Sequence, residues 1–413
     1  MRYILHSDLN NFYASVECLC RPEIKDKPVV VTGDGDKRHG VVLAKNLIAK
    51  KQGVKTGDTI FEAKQKCGAE LVCVVANFDK YIEISHKIKE FYRTITPKVE
   101  SFGIDEAWLD ISHKAKSFEE AYAIADNLRK GVFETFGLTV SIGVSFNKVF
   151  AKLGSDLKKP NAVTLISNIN YKQLIYPLPC EDLLYVGRAT KEKLHRSNIF
   201  TIGDLANSDT KFIHKTFGKV GDMLVKFASG QDDSEVIPDG LSQEVKSISN
   251  SSTCPRDLKT DSEVKALIYM LAEHVAQRMR HKNLYCRVVS LWVRDDTLAS
   301  VDKRYTLPVA TNVAGDIASA CYKLFKSVYK WQHNVRAVGV GVSNFTDGIT
   351  QCNLFESVEN QEKRLKLEKT VENIQQKFGY NAIKRGSVVG DKNLDELNPF
   401  AGQHIVHPTT LKK

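Results

Sequence analysis

Three acidic residues, Asp8, Asp105 and Glu106, stand where metal-assisted chemistry would need them. The run Tyr3-Ile4-Leu5-His6-Ser7-Asp8 reads as a strand whose apolar stretch stops at a carboxylate. The hairpin Ser101-Phe102-Gly103-Ile104-Asp105-Glu106-Ala107-Trp108 sets two more acids side by side at a turn. Neighbours on a strand face opposite sides, but a turn lets both converge. If the first strand lies beside this hairpin, Asp8 joins the pair, and three carboxylates in so small a volume repel one another unless a cation neutralises them. Hard divalent ions, Mg²⁺ first and Mn²⁺ as a substitute, suit oxygen ligands. Two such ions about 3.5 to 4 Å apart activate a hydroxyl and stabilise a departing pyrophosphate in an in-line displacement. Spacing alone favours a blander reading, a solvated Asp-Glu turn and an aspartate capping a helix.

The elements that would gather these acids follow from periodicity. After the first strand and a helical stretch through Cys18, an amphipathic segment at 78 to 95 precedes strands 98 to 103 and 106 to 111, helix 117 to 136 and strand 139 to 145. The order β-α-β-β-α-β is ferredoxin-like. Residues 11 to 76 interrupt it and predict a small inserted module over one end of the sheet. Residues 169 to 235 read as mostly helical, with turns at Tyr185-Val186-Gly187 and Phe217-Gly218-Lys219. Residues 236 to 245 have linker composition. Strand-like runs at 246 to 253, 286 to 294, 301 to 308 and 335 to 343, with helical runs at 261 to 281 and 312 to 329, predict a sheet covered by two helices. A last helix is expected over 358 to 378, with Val358, Leu365, Val371, Ile374 and Phe378 on one face, before a disordered tail ending in Leu411-Lys412-Lys413.

At 413 residues the chain should divide into three or four domains. Lys plus Arg exceed Asp plus Glu by 59 − 49 = 10, which favours a polyanionic partner. Residues 245 to 350 hold 15 basic and 9 acidic residues, so they supply 6 of that excess. The nine cysteines form no CxxC pair and have no histidine at zinc-ligand spacing, and they read as reduced thiols. The N-terminus lacks the apolar run of a signal peptide, and no stretch suits a membrane span. A cytoplasmic protein is expected.

Four motifs carry a resemblance. Asp8-Leu9-Asn10-Asn11-Phe12-Tyr13-Ala14-Ser15-Val16-Glu17, Ile104-Asp105-Glu106-Ala107-Trp108-Leu109-Asp110, Asn147-Lys148-Val149-Phe150-Ala151-Lys152 and Lys158-Lys159-Pro160-Asn161 resemble, in order and spacing, those of the Y-family DNA polymerases of the bacterial polymerase IV branch. The similarity runs from residue 1 to about 355. It implies a multidomain α/β and α+β right-hand polymerase: a ferredoxin-like palm (1–10 and 77–168), small fingers (11–76), a helical thumb (169–235), a linker (236–245), an α+β little finger (246–350) and a C-terminal segment (351–413). It also implies error-prone, template-directed synthesis without proofreading on primer-template DNA from dNTPs, by a monomer associated with the nucleoid.

By the same resemblance Asp8, Asp105 and Glu106 bind the ions together with the main-chain carbonyl of Leu9. Tyr13 is the steric gate against a ribose 2′-hydroxyl, and Asn11, Phe12, Lys50 and Lys159 join it around the nucleotide. Asn10 stands where many relatives have aspartate, and Gly103 where serine is common. Ala44, Leu47 and Lys50 replace the usual threonine, tyrosine and arginine, and lysine lacks arginine's bidentate fork; Lys45 or Lys51 would have to compensate.

Leu183 to Asn198 resembles a helix-hairpin-helix whose Gly187 turn and Lys191 meet a phosphate, with Tyr185 in place of a first glycine. Lys246, Arg256, Arg287, Arg294 and Arg336 are candidate phosphate contacts in the basic domain. Gln351-Cys352-Asn353-Leu354-Phe355 resembles the QxxLF peptide by which bacterial polymerases hold the sliding clamp (β subunit), with Gln351, Leu354 and Phe355 as its contacts. Rival readings are a catalytically inactive DNA- and clamp-binding scaffold, a cyclase or nuclease on a related palm, and a polymerase V-type subunit that needs an accessory protein.

Overall fold

The computed structural model describes residues 1–33, 40–239, 245–346 and 358–387. The chain divides into two compact units, with described residues up to 239 in the first and from 245 in the second. Among the described residues no helix is long and apolar enough to cross a membrane.

In the first unit the elements run β1 (Ile4–Leu9), α1 (Phe12–Cys20), β2 (Val29–Thr32), β3 (Val42–Lys45), α2 (Leu47–Lys51), α3 (Ile60–Cys67), β4 (Val72–Val75), α4 (Phe78–Ile95), β5 (Val99–Ser101), β6 (Glu106–Asp110), α5 (Phe118–Phe136), β7 (Val140–Ser145), α6 (Lys148–Leu157) and β8 (Val163–Ile166). The helices α7 (Tyr171–Ile175), α8 (Arg188–Arg196), α9 (Ile202–Ala206) and α10 (Thr210–Ala228) follow. The main sheet has the order β5-β6-β1-β7-β8. Its first four strands are the ferredoxin-like set expected from the sequence, with β1 antiparallel to both β6 and β7; β8 is added parallel to β7.

Period two along β1 sorts its side chains between two layers. Leu5 and Leu9 join the apolar cluster with Ile88 and Tyr92 of α4 and Leu128 of α5. Ile4, on the other face, packs with Trp108 of β6 and Ala151 of α6. His6 on that same face bonds Ser155 of α6, Nδ1 to Oγ, at 2.9 Å. Helix α6 can lie this close because residue 143 of β7 is glycine: a Cβ there would sit 1.9 Å from the carbonyl oxygen of Ala151. The Asn147 side chain caps α6 by accepting from the Phe150 N–H at 2.7 Å.

The inserted module is a three-stranded sheet of order β3-β2-β4 with α2 and α3. Helices α7 to α10 pack around an apolar cluster shared with Val149, Phe150 and Leu153 of α6 and Ile166 of β8, and α10 kinks at Gly218, as the sequence turn suggests. Residues 236 to 239, which composition assigns to a linker, instead line the outer edge of β5. Val236 is buried, Asp239 N–H donates to Val99 O at 2.9 Å, and the Asp239 carboxylate accepts from Ser101 N–H at 2.9 Å and from Arg93 at 2.9 Å. Satisfying an exposed strand edge outweighs the polar composition of the segment.

The second unit holds β9 (Ser247–Leu258), α11 (Asp261–Arg280), β10 (Tyr285–Asp295), β11 (Ser300–Thr311), α12 (Ala314–Val328), β12 (Val335–Thr346) and α13 (Val358–Phe378). The sheet order is β11-β10-β12-β9, with all neighbours antiparallel. Val289, Leu291, Val293, Val338, Val340 and Val342 pack in one cluster with residues of α11 and α12. Helix α13 docks on this unit chiefly through charge: Arg280 of α11 pairs with Glu368 at 2.7 Å and Glu372 at 3.1 Å. Phe378, assigned by periodicity to an apolar face of α13, is 68% exposed.

Candidate active site

Antiparallel pairing sets the site. Asp8 near the end of β1 lies opposite Glu106 at the start of β6, and the Leu9 N–H donates to the Asp105 carbonyl at 3.0 Å. The three acids, 97 or more residues apart in sequence between the first and the others, therefore meet at one rim of the sheet. Leu9 is buried there, as β1's last residue.

The hairpin turn is pinned from α4. Lys89 Nζ donates to the Gly103 carbonyl at 2.7 Å, and Ser85 Oγ donates to the carbonyl of Ile104. Ser85 and Lys89 are one helical turn apart on a face otherwise made by Tyr81, Ile88 and Tyr92. These polar residues on a buried face are positioning residues that sequence reading passed over. Gly103 adopts φ +89°, a conformation that glycine holds without strain.

Two lysines lie among the acids. Lys152 of α6 reaches Glu106 at 2.8 Å, Asp8 at 3.5 Å and Asp156 at 3.5 Å, and Lys159 reaches Asp8 at 2.8 Å and Asp156 at 2.9 Å. Four carboxylates face two ammoniums here, which leaves 4 − 2 = 2 negative charges, the charge of one divalent ion. Burial, Glu106 and Asp8 raise the Asp105 carboxyl to about 6. Asp8 is raised by burial and by Glu106, against the pull of both lysines. Burial opposes the charge on Lys152, yet Glu106, Asp156 and Asp8 together raise it above an ordinary lysine. His6 is held well below its ordinary value by burial and by Lys152, so it remains a neutral imidazole.

The donor set suits hard cations. It is all oxygen, it carries surplus negative charge, and Glu106 Oε2 is buried without a hydrogen bond, 3.3 Å from His6 Nε2. The three carboxylates do not close within 4.8 Å of one another as a single-ion cage would. Lys152, in a motif the sequence reading quoted without a role, is the functional neighbour that reading missed.

On the nucleotide side, Asn11 takes a left-handed conformation at φ 50° and turns the chain into α1. Tyr13 stacks on Tyr81, with centroids 4.5 Å apart and planes 12° apart. Its hydroxyl is pushed up by burial and by Asp105, so the ring lies beside the acids. Phe12 is 3% exposed, part of the core beneath. Tyr81 in turn donates to the buried Glu17 at 2.9 Å, which fixes the platform. The Asn10 amide donates to Ser141 Oγ at 3.0 Å and its oxygen accepts from the Asn161 N–H at 2.8 Å. The oxygen of Asn10 thus ties β1 to the loop carrying Lys159, a bond that an aspartate could also accept, while its amide N–H adds a bond to β7. Lys50 lies exposed in the last turn of α2. Lys45 of β3 is lowered by burial and by Lys50, so the two ammoniums converge, and Lys45 also donates to Thr56 at 2.9 Å.

The proposed DNA contacts divide into free and committed groups. Gly187 is the exposed N-cap of α8, and Tyr185 keeps the positive φ, 71°, that a glycine would adopt there. Lys191 is engaged by Glu181 at 2.5 Å, and Arg256 by Glu263 at 2.5 Å in the capping turn of α11. Lys246, Arg287 and Arg294 are exposed, with Arg294 over the Trp292 ring at 5.4 Å, and Arg336 is half-buried on β12. Gln351, Leu354 and Phe355 lie outside the described residues.

Residues 7–156 match the impB/mucB/samB family, and residues 245–354 match that family's C-terminal domain. The chain is 45% identical over 398 residues to a DNA polymerase IV of Acetivibrio thermocellus, covering 96% of this chain and 100% of that one. It is 34% identical to a DNA polymerase IV of Moorella thermoacetica, covering 92% and 95% of the two chains. Among solved structures, a Y-family DNA polymerase chimera superposes with a TM-score of 0.72 at 23% identity, covering 83% of this chain and 98% of that one. DinB from Sulfolobus solfataricus superposes with a TM-score of 0.56 at 24% identity, covering 83% and 98%.

Proposed function

The chain belongs to the impB/mucB/samB family, the Y-family DNA polymerases, and from that premise we propose that Asp8, Asp105 and Glu106 work as its two-ion centre for nucleotidyl transfer. It is a DNA-directed DNA polymerase of the translesion class, with the right-hand fold. The observation that carries the proposal is the register of β1 on β6, which sets Asp8 against Glu106 and bonds Leu9 to Asp105.

When bound, two Mg²⁺ ions would supply Lewis acidity at the primer 3′-hydroxyl and at the triphosphate. The protein's own residues do the rest. Asp8, Asp105, Glu106 and the Leu9 carbonyl would hold the ions, while Lys159 and Lys152, now neutralising Asp8 and Glu106, turn to phosphate oxygens and hold their charge. Tyr13, braced flat on Tyr81, would fill the space of a ribose 2′-hydroxyl, with Phe12 and Asn11 shaping the backbone under the sugar. Lys45 and Lys50 would stand in for the missing hydroxyl and guanidinium donors of the fingers, with Lys51 beside them.

The palm (1–10 and 77–168), fingers (11–76), thumb (169–235) and little finger (246–350) follow this assignment, with residues 236 to 239 belonging to the palm edge. Gly187, Lys246, Arg287, Arg294 and Arg336 are the phosphate contacts, and Gln351, Leu354 and Phe355 the sliding-clamp peptide. The polymerase acts as a cytoplasmic monomer at the nucleoid without proofreading. Primer extension on undamaged and abasic templates tests the proposal. Wild type should extend both and Asp105→Ala neither; equal extension by the two proteins contradicts it.

A further inference from the structure

No cysteine carries a zinc motif in sequence, yet the fold assembles a ligand set from separated residues. Cys180 and Glu181 occupy a 3₁₀ turn, Cys180–Asp182, and His195 lies in the last turn of α8. One ligand atom from each lies within 4.8 Å of the others. Glu181 Oε2 is 3.7 Å from Cys180 Sγ and 3.7 Å from His195 Nε2. A tetrahedral centre with bonds of about 2.0 to 2.3 Å separates its donors by roughly 3.3 to 3.8 Å. Two of the three donor pairs therefore already stand at coordination spacing, and sulfur and imidazole lie within 4.8 Å of each other.

Two further features aim these atoms at a shared point. His195 Nε2 is buried and makes no hydrogen bond. Lys191 holds the other carboxylate oxygen of Glu181, Oε1, at 2.5 Å, which turns Oε2 toward the sulfur and the imidazole. Cys180 is a free, fully buried thiol.

We propose that Cys180, Glu181 and His195 form a site for one borderline divalent transition-metal ion, zinc first, with water as fourth ligand. Thiolate and imidazole disfavour Mg²⁺ and select zinc or cobalt, so this site and the carboxylate centre take different classes of metal. The Cys180 thiol is held up to about 11 by burial and by Glu181, so binding displaces one proton from sulfur as the metal–sulfur bond forms. The ion would staple the turn before the Tyr185–Gly187 hairpin to the end of α8, and so fix the exposed Gly187 N-terminus. Nothing in this inference rests on the polymerase assignment.

The test is Co²⁺ titration of the full, metal-stripped chain in excess Mg²⁺, read by the near-ultraviolet thiolate-to-cobalt charge-transfer band. One equivalent should bind, zinc should displace it, Cys180→Ser should abolish the band, and His195→Gln should weaken binding about 100-fold. Absence of the band at saturating Co²⁺, or its survival in Cys180→Ser, overturns the proposal. Should the buried Cys180→Ser fail to fold, His195→Gln decides, because unchanged affinity in that variant is equally fatal.

Discussion

The two larger sheets treat charge in opposite ways. The five-stranded sheet buries it: His6, Asp8, Glu100 and Lys148 are all under 9% exposed, and Lys148 bonds both oxygens of Glu100 at 2.7 Å beneath Trp108. The four-stranded sheet keeps valine and leucine inside, while Arg287, Arg294 and the edge residues Lys303 and Arg304 face water. Buried charges act through geometry, because each lost partner leaves another uncompensated. Exposed charges act through their summed field, which salt screens. On the proposed function, the first sheet would serve a reaction at fixed atoms, and the second would hold a polyanion anywhere along its length.

That contrast can be broken by substitution. Glu106→Ala should lower the single-turnover incorporation rate by about 10³-fold with DNA affinity unchanged; a loss confined to DNA binding would erase the distinction between the sheets. Tyr13→Ala should raise ribonucleotide use relative to deoxyribonucleotide about 100-fold, measured as the ratio of kcat/KM values. An unchanged ratio would return Tyr13 to the core stack with Tyr81.

Lys152→Met leaves Asp8, Glu106 and Asp156 facing one another with one ammonium fewer. Thermal unfolding in EDTA should show a loss of about 2 kcal/mol that Mg²⁺ largely restores. A loss independent of Mg²⁺ would mean that the lysine serves packing alone. The smallest effect belongs to the outer sheet: Arg287→Ala and Arg294→Ala should each reduce the slope of log K against log salt by roughly 0.9, without altering the incorporation rate. A rate effect there would contradict the division of labour.

Most of the fold was legible because its elements follow local periodicity. Helix 78–95 is observed at Phe78–Ile95, and all four strands and helices α11, α12 and α13 of the second unit stand within a few residues of their expected places. The acids were legible by motif and their meeting by ferredoxin order. Pairings across long sequence separations were not legible: Lys152 with Glu106, Lys89 with the Gly103 carbonyl, and Cys180 with His195 have no local signature. Nor was the pairing of Lys191 with Glu181 and of Arg256 with Glu263, since a basic residue does not announce its partner within the fold. The sequence placed Leu365, Val371, Ile374 and Phe378 on one face of α13, and of these Leu365, Val371 and Ile374 are half-buried while Phe378 is exposed.

The most direct measurement of the central claim is anomalous scattering from crystals grown with Mn²⁺, primer-template DNA and an unreactive dNTP analogue. Two manganese peaks should appear among Asp8, Asp105 and Glu106, with Asp8 in contact with at least one of them. A single peak, or any arrangement in which Asp8 touches neither ion, would contradict the account.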